Sequence, residues 1–128
     1  EKEAGNLKQA KSLYQKACNG KIYVSCNNLG LLELKSGNKG NAKILFRKAC
    51  DGKVYEGCLS LGVLEQETGN IKEAKTLWKK ACDNNLYTAC SNLGVFEKET
   101  GNIDKAKIYY KKACNGDIQQ ACKALKEL

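Results

Sequence analysis

The 128-residue sequence predicts an all-α chain, a right-handed α/α solenoid of antiparallel helix pairs, and three of its features carry that prediction. It matches itself at an offset of 32 residues, and again at 64 and 96. Each copy holds two apolar stripes of helical period. Short Gly-containing turns separate one stripe from the next.

The repeat comes first, because self-similarity at such a period decides the architecture before any single element does. Gly recurs at 5, 37, 69 and 101, each time followed by Asn at 6, 38, 70 and 102. Ala follows at 10, 42, 74 and 106, and Lys at 11, 43, 75 and 107. An aromatic stands at Tyr14, Phe46, Trp78 and Tyr110, Ala-Cys closes the segment at 17/18, 49/50, 81/82 and 113/114, and a second Cys recurs at 26, 58, 90 and 122. Leu-Gly occupies 29/30, 61/62 and 93/94, while the fourth copy reads Leu125-Lys126, a departure typical of terminal repeats. The expectation is a single domain over 1–128, with 1–32, 33–64, 65–96 and 97–128 as permuted copies, and either a section of a longer array or an engineered excerpt.

The two helices of a copy follow from their stripes. Ala42, Leu45, Phe46 and Ala49 fall at i, i+3, i+4 and i+7, which predicts a helix from about Asn41 to Cys50. Tyr55, Cys58, Leu61, Gly62 and Leu64 predict its partner from about Val54 to Glu67. We call the Leu-Gly helix the first of each pair and the Ala-Cys helix the second. Gly-Asn (69/70, 101/102) ends the first kind, and Asn-Gly or Asp-Gly (19/20, 51/52) ends the second, residues that tolerate a left-handed helix cap. A short helix with one apolar stripe is unstable alone, whereas stacked pairs bury a continuous core.

Composition bounds the chemistry. Apolar residues make up 42% and charged residues 28%, as in a folded domain, and there is no His. That excludes Ser/His/Asp triads, Cys/His dyads and His-ligated metals. No apolar run approaches the roughly 18 residues of a membrane span, and Glu1-Lys2-Glu3-Ala4-Gly5 is unlike a signal peptide. No cofactor is implied.

The cysteines are spaced Cys, seven residues, Cys: 18 and 26, 50 and 58, 82 and 90, 114 and 122. Repeat symmetry leaves two connectivities. One pairs across the intervening turn; the other pairs 26 with 50, 58 with 82 and 90 with 114, and strands Cys18 and Cys122. The first uses all eight. Buried free thiols and a metal site are the other readings, but zinc favours Cys two to four residues apart, often with His, and neither is present. Disulfides imply an oxidising compartment.

The pattern Leu61-Gly62, Ala74, Trp78, Ala81 and its equivalents resembles the tetratricopeptide repeat and its relative the Sel1-like repeat. Ala-Cys, seven residues, Cys, two residues, Leu-Gly is similar to the Helicobacter cysteine-rich (Hcp) family, whose Sel1-like pairs are each stapled by a disulfide across the turn between repeats. Two details differ from that family: the Gly69-Asn70 turn is shorter, and Glu33, Glu65 and Glu97 replace the aromatic that usually follows Leu-Gly by three. The resemblance implies a secreted or periplasmic protein offering a concave groove to a protein or peptide. The mitochondrial intermembrane space is the alternative address.

The resemblance also implies a second activity, penicillin binding with weak β-lactamase action, and this is weighed on the residues. Ser36-Gly37-Asn38-Lys39 matches Ser-x-x-Lys, but sister copies read Thr68-Gly-Asn-Ile71 and Thr100-Gly-Asn-Ile103, and neither Ser-Asp-Asn nor Lys-Thr-Gly occurs. No catalytic residue is assigned, and the balance is against an enzyme.

On the tetratricopeptide pattern the groove would be lined by the first helices, through Asn27, Leu31 and Lys35, then Leu59, Val63 and Gln66, then Ser91, Val95 and Lys98. The competing reading is that the apolar members pack as core. Charge is uneven: segments 5–18, 37–50, 69–82 and 101–114 carry +3, +4, +3 and +3, a total of +13, while 22–36, 54–68, 86–100 and 118–128 carry 0, −3, −1 and +1. A nucleic acid would suit such a basic face, but Arg47 is the only Arg among 22 basic residues, and a solvated lysine face is preferred.

Overall fold

The computed structural model describes residues 2–128, with side chains from Gly5 onward. The described residues form eight helices: α1 Lys2–Asn19, α2 Tyr23–Lys35, α3 Lys39–Asp51, α4 Tyr55–Glu67, α5 Ile71–Asp83, α6 Tyr87–Glu99, α7 Ile103–Asn115 and α8 Gln119–Lys126. Helices α2, α4, α6 and α8 are the first kind, and α1, α3, α5 and α7 the second. The chain divides into two compact units, one running up to Leu64 and the other from Glu65 to Leu128. In the one, α2 packs on α1 and α3; in the other, α6 packs on α5 and α7, and α8 on α7.

The predicted stripes are the buried faces. Ala42, Leu45, Phe46, Ala49 and Cys50 are the buried residues of α3, and Ala74, Leu77, Trp78, Ala81 and Cys82 those of α5. The Leu-Gly motif has a packing cause in both units. A Cβ on Gly30 would lie 2.7 Å from the Phe46 ring, and one on Gly94 would lie 2.6 Å from the Tyr110 ring. Only a bare backbone lets the aromatic of the following copy come so near.

All the turns close with the same cap, in which the amide three residues past the helix bonds back to the carbonyl of its third-last residue. After the first helices it is Asn38 N–H to Glu33 O, Asn70 N–H to Glu65 O and Asn102 N–H to Glu97 O, each at 2.8 Å. The left-handed residue there is Gly37, Gly69 or Gly101, as expected. After the second helices the expectation fails by one position. Gly52 and Gly116 have φ of −86° and −90°, and the left-handed residues are Lys21, Lys53, Asn85 and Asp117. The glycines serve close approach instead: the Tyr23 ring lies against Gly52 and the Tyr87 ring against Gly116, where a Cβ would collide. The left-handed lysines cost roughly 1 kcal/mol each, which the two cap bonds and the apolar residue that follows (Ile22, Val54) offset.

Candidate functional site

Each turn that follows a second helix is closed covalently. Disulfides join Cys18 to Cys26, Cys50 to Cys58, Cys82 to Cys90 and Cys114 to Cys122, with Cα separations of 4.7, 4.7, 4.8 and 4.6 Å. No cysteine is free, so the pairing of 26 with 50 is not adopted and no thiolate remains for a metal. Among the described residues no group of three His, Cys, Asp or Glu could hold one.

The groove candidates lie on the first helices. Leu31 is 47% exposed, Val63 38% and Val95 43%, so one apolar side chain per copy faces water at the same position. One turn earlier, Asn27, Leu59 and Ser91 are half-buried, which is part of the packing role that competed for them. Lys35, Gln66 and Lys98 are exposed. The Asn27 Oδ1 is buried with no hydrogen-bond partner, an acceptor that an incoming N–H could satisfy.

The three glutamates that stand in the aromatic position turn out to be buried carboxylates. Glu97 is 1% exposed, with Lys75 Nζ at 3.1 Å and Lys105 Nζ at 4.0 Å, and Lys75 lies 5.1 Å from the centroid of the Phe96 ring. Glu33 is held by Lys11 Nζ at 2.8 Å and accepts from Asn41 Nδ2 at 2.7 Å and Asn38 Nδ2 at 3.3 Å. Asn70 Nδ2 donates to Glu65 at 3.1 Å. The Lys11 hydrogen bond, then that of Asn41, holds the Glu33 carboxyl below its ordinary range against the opposing cost of burial. Sequence reasoning noted these residues only as replacing an aromatic and gave them no role. Their signal was a charge recurring inside an apolar stripe, 22 residues after the recurring Lys.

The same cluster bears on the β-lactam alternative. The neighbour of the Ser36 hydroxyl is Lys11, whose Nζ donates to Ser36 Oγ at 3.0 Å while paired with Glu33. A general base must accept the serine proton, and this nitrogen points its own proton the other way. The geometry gives hydrolysis no support.

The tetratricopeptide repeat model matches residues 23–51 and 87–115, which are α2 with α3 and α6 with α7, and the Sel1 repeat model matches 2–21 and 56–86. Stretches of the chain are thus similar to both kinds of repeat. Among solved structures these repeats superpose on a Sel1 repeat protein from Oxalobacter formigenes with a TM-score of 0.82 at 22% identity, covering 94% of this chain and 54% of that one, about half its length. They superpose on Helicobacter pylori cysteine rich protein B with a TM-score of 0.70 at 25% identity, over 94% of this chain and 95% of that one. MamA matches with a TM-score of 0.70 at 19% identity, over 97% and 77%. No curated protein sequence matches the chain. The fold is therefore that of the all-α helical-repeat solenoids, in which each disulfide joins a second helix to the first helix that follows it.

Proposed function

We propose that this chain is a non-enzymatic interaction module of an oxidising compartment, secreted or periplasmic, which takes a protein or peptide against its first helices. Sel1 and tetratricopeptide repeats are protein-interaction scaffolds, and the four disulfides are consistent with a site outside the cytosol. The observation that carries the reading is the register of Leu31, Val63 and Val95: successive copies leave an apolar side chain in water where the repeat could hold a polar one. The exposed Lys35, Gln66 and Lys98 supply a polar margin beside them.

Peptides selected from a displayed library on the oxidised protein test this. Leu31→Asp and Val63→Asp should each weaken the selected peptides by about tenfold or more, because each replaces a buried apolar contact by a charge. Selected peptides that bind both variants with unchanged affinity would overturn the assignment of this face.

A further inference from the structure

The second helices carry a feature that the interaction module does not use. Ile44 on α3 is 59% exposed and Ile108 on α7 is 66% exposed. Arg47 and Lys48 follow Ile44 at i+3 and i+4, Lys111 and Lys112 follow Ile108 at the same spacing, and Lys105 precedes Ile108 by three. The repeat fold does not require an apolar residue there, since the sister copies hold Ser12 and Thr76. The segments around the two isoleucines, 37–50 and 101–114, are the +4 and +3 segments of a chain of net charge +8. The carboxylates of these helices are Asp51, at i+7 from Ile44 on α3, and Asp104, at i−4 from Ile108 on α7.

We infer that these two faces bind an anionic lipid surface, the lysines meeting headgroups and each isoleucine entering the acyl boundary. An exposed apolar side chain followed by two cations on the next turn suits that environment, because a bilayer offers negative charge and hydrocarbon a few ångströms apart. A nucleic acid would take the charge and leave the isoleucine unused. It would also want exposed rings for base stacking, and on these helices Phe46 and Tyr110 are buried and Tyr109 is half-buried. An anionic polysaccharide likewise has no partner for the isoleucines. This surface is distinct from the Leu31, Val63 and Val95 register, so either assignment can fail alone.

The test is sedimentation of the oxidised full chain with vesicles of phosphatidylcholine alone and of an equimolar mixture with phosphatidylglycerol. The protein should follow the anionic vesicles only, and less so at high salt. Lys48→Gln and Lys111→Gln should each weaken binding roughly fivefold. Ile44→Ser combined with Ile108→Thr, the residues that sister copies already hold, should weaken it by roughly tenfold or more. Their circular dichroism melt should match the parent. Equal binding to both vesicle types would overturn the inference. So would anionic-vesicle binding indifferent to the two isoleucines, or a DNA or heparin complex tighter than the vesicle complex and equally indifferent to them.

Discussion

Removing one staple separates what a disulfide does to the unfolded chain from what its sulfurs do in the fold. All four loops have the same sequence separation of 8, so the chain-entropy model assigns each the same contribution, roughly 2.6 kcal/mol at 25 °C. Burial is not the same. Cys50 and Cys58 are 1% and 0% exposed, whereas Cys114 and Cys122 are half-buried. Replacing the first pair by Ala should open voids worth about another 1 kcal/mol per sulfur. We therefore expect about 4 to 5 kcal/mol for the double variant Cys50→Ala, Cys58→Ala and about 3 for Cys114→Ala, Cys122→Ala. For a chain of 128 residues the smaller value corresponds to a fall in melting midpoint of roughly 10 °C. Circular dichroism melts of both variants and the parent, without reductant, measure this. A midpoint within about 3 °C of the parent for either variant refutes the loop argument, and equal falls refute the packing argument.

Three further outcomes follow from the buried groups. The folded state holds the Glu33 carboxyl below its ordinary range, so its contribution to stability is complete above the ordinary carboxylate pKa and is lost as pH falls through the folded value. Urea midpoints measured downward from pH 6 should drop below about pH 4, and Glu33→Gln should flatten part of that drop. Lys75→Met leaves Glu97 buried with Lys105 Nζ at 4.0 Å, and should cost about 3 kcal/mol in urea melts. Glu97→Leu should cost far less, since the half-exposed Lys75 can turn to water. Gly94→Ala forces a Cβ to 2.6 Å from the Tyr110 ring, and should cost about 1 to 3 kcal/mol, relieved in the double variant with Tyr110→Leu. Additive costs in that pair would show the contact to be unimportant.

The repeat made most of the fold legible. A stripe such as Ala42, Leu45, Phe46, Ala49 read once is ambiguous, but read in four registers it fixes which face is buried, and α3 and α4 end within about two residues of their expected limits. The link across each turn was readable for the same reason. What escaped depends on neighbours distant in sequence or on backbone torsion. Gly52 reads as a flexible cap, and only the Tyr23 ring from the preceding copy reveals it as a contact point. Lys53 gives no sign of adopting φ of 69°. Glu97 reads only as a departure from the aromatic of the Hcp pattern until Lys75 on α5 is seen beside it. The groove candidates came from the tetratricopeptide pattern, and which of them are exposed, such as Val63, or half-buried, such as Leu59 and Ser91, is set by packing that no period encodes.

The placement of the left-handed lysines has a consequence for survival among proteases. Lys21 and Lys53 are exposed at the tips of their turns, where a trypsin-like enzyme finds backbone most accessible. Both lie inside closed rings, between Cys18 and Cys26 and between Cys50 and Cys58. Hydrolysis after either lysine adds one water and creates a new amino terminus, yet the two pieces stay tethered through sulfur, with their helices still packed. A nicked chain would run as two fragments only after reduction, and in the oxidised state it would remain one molecule.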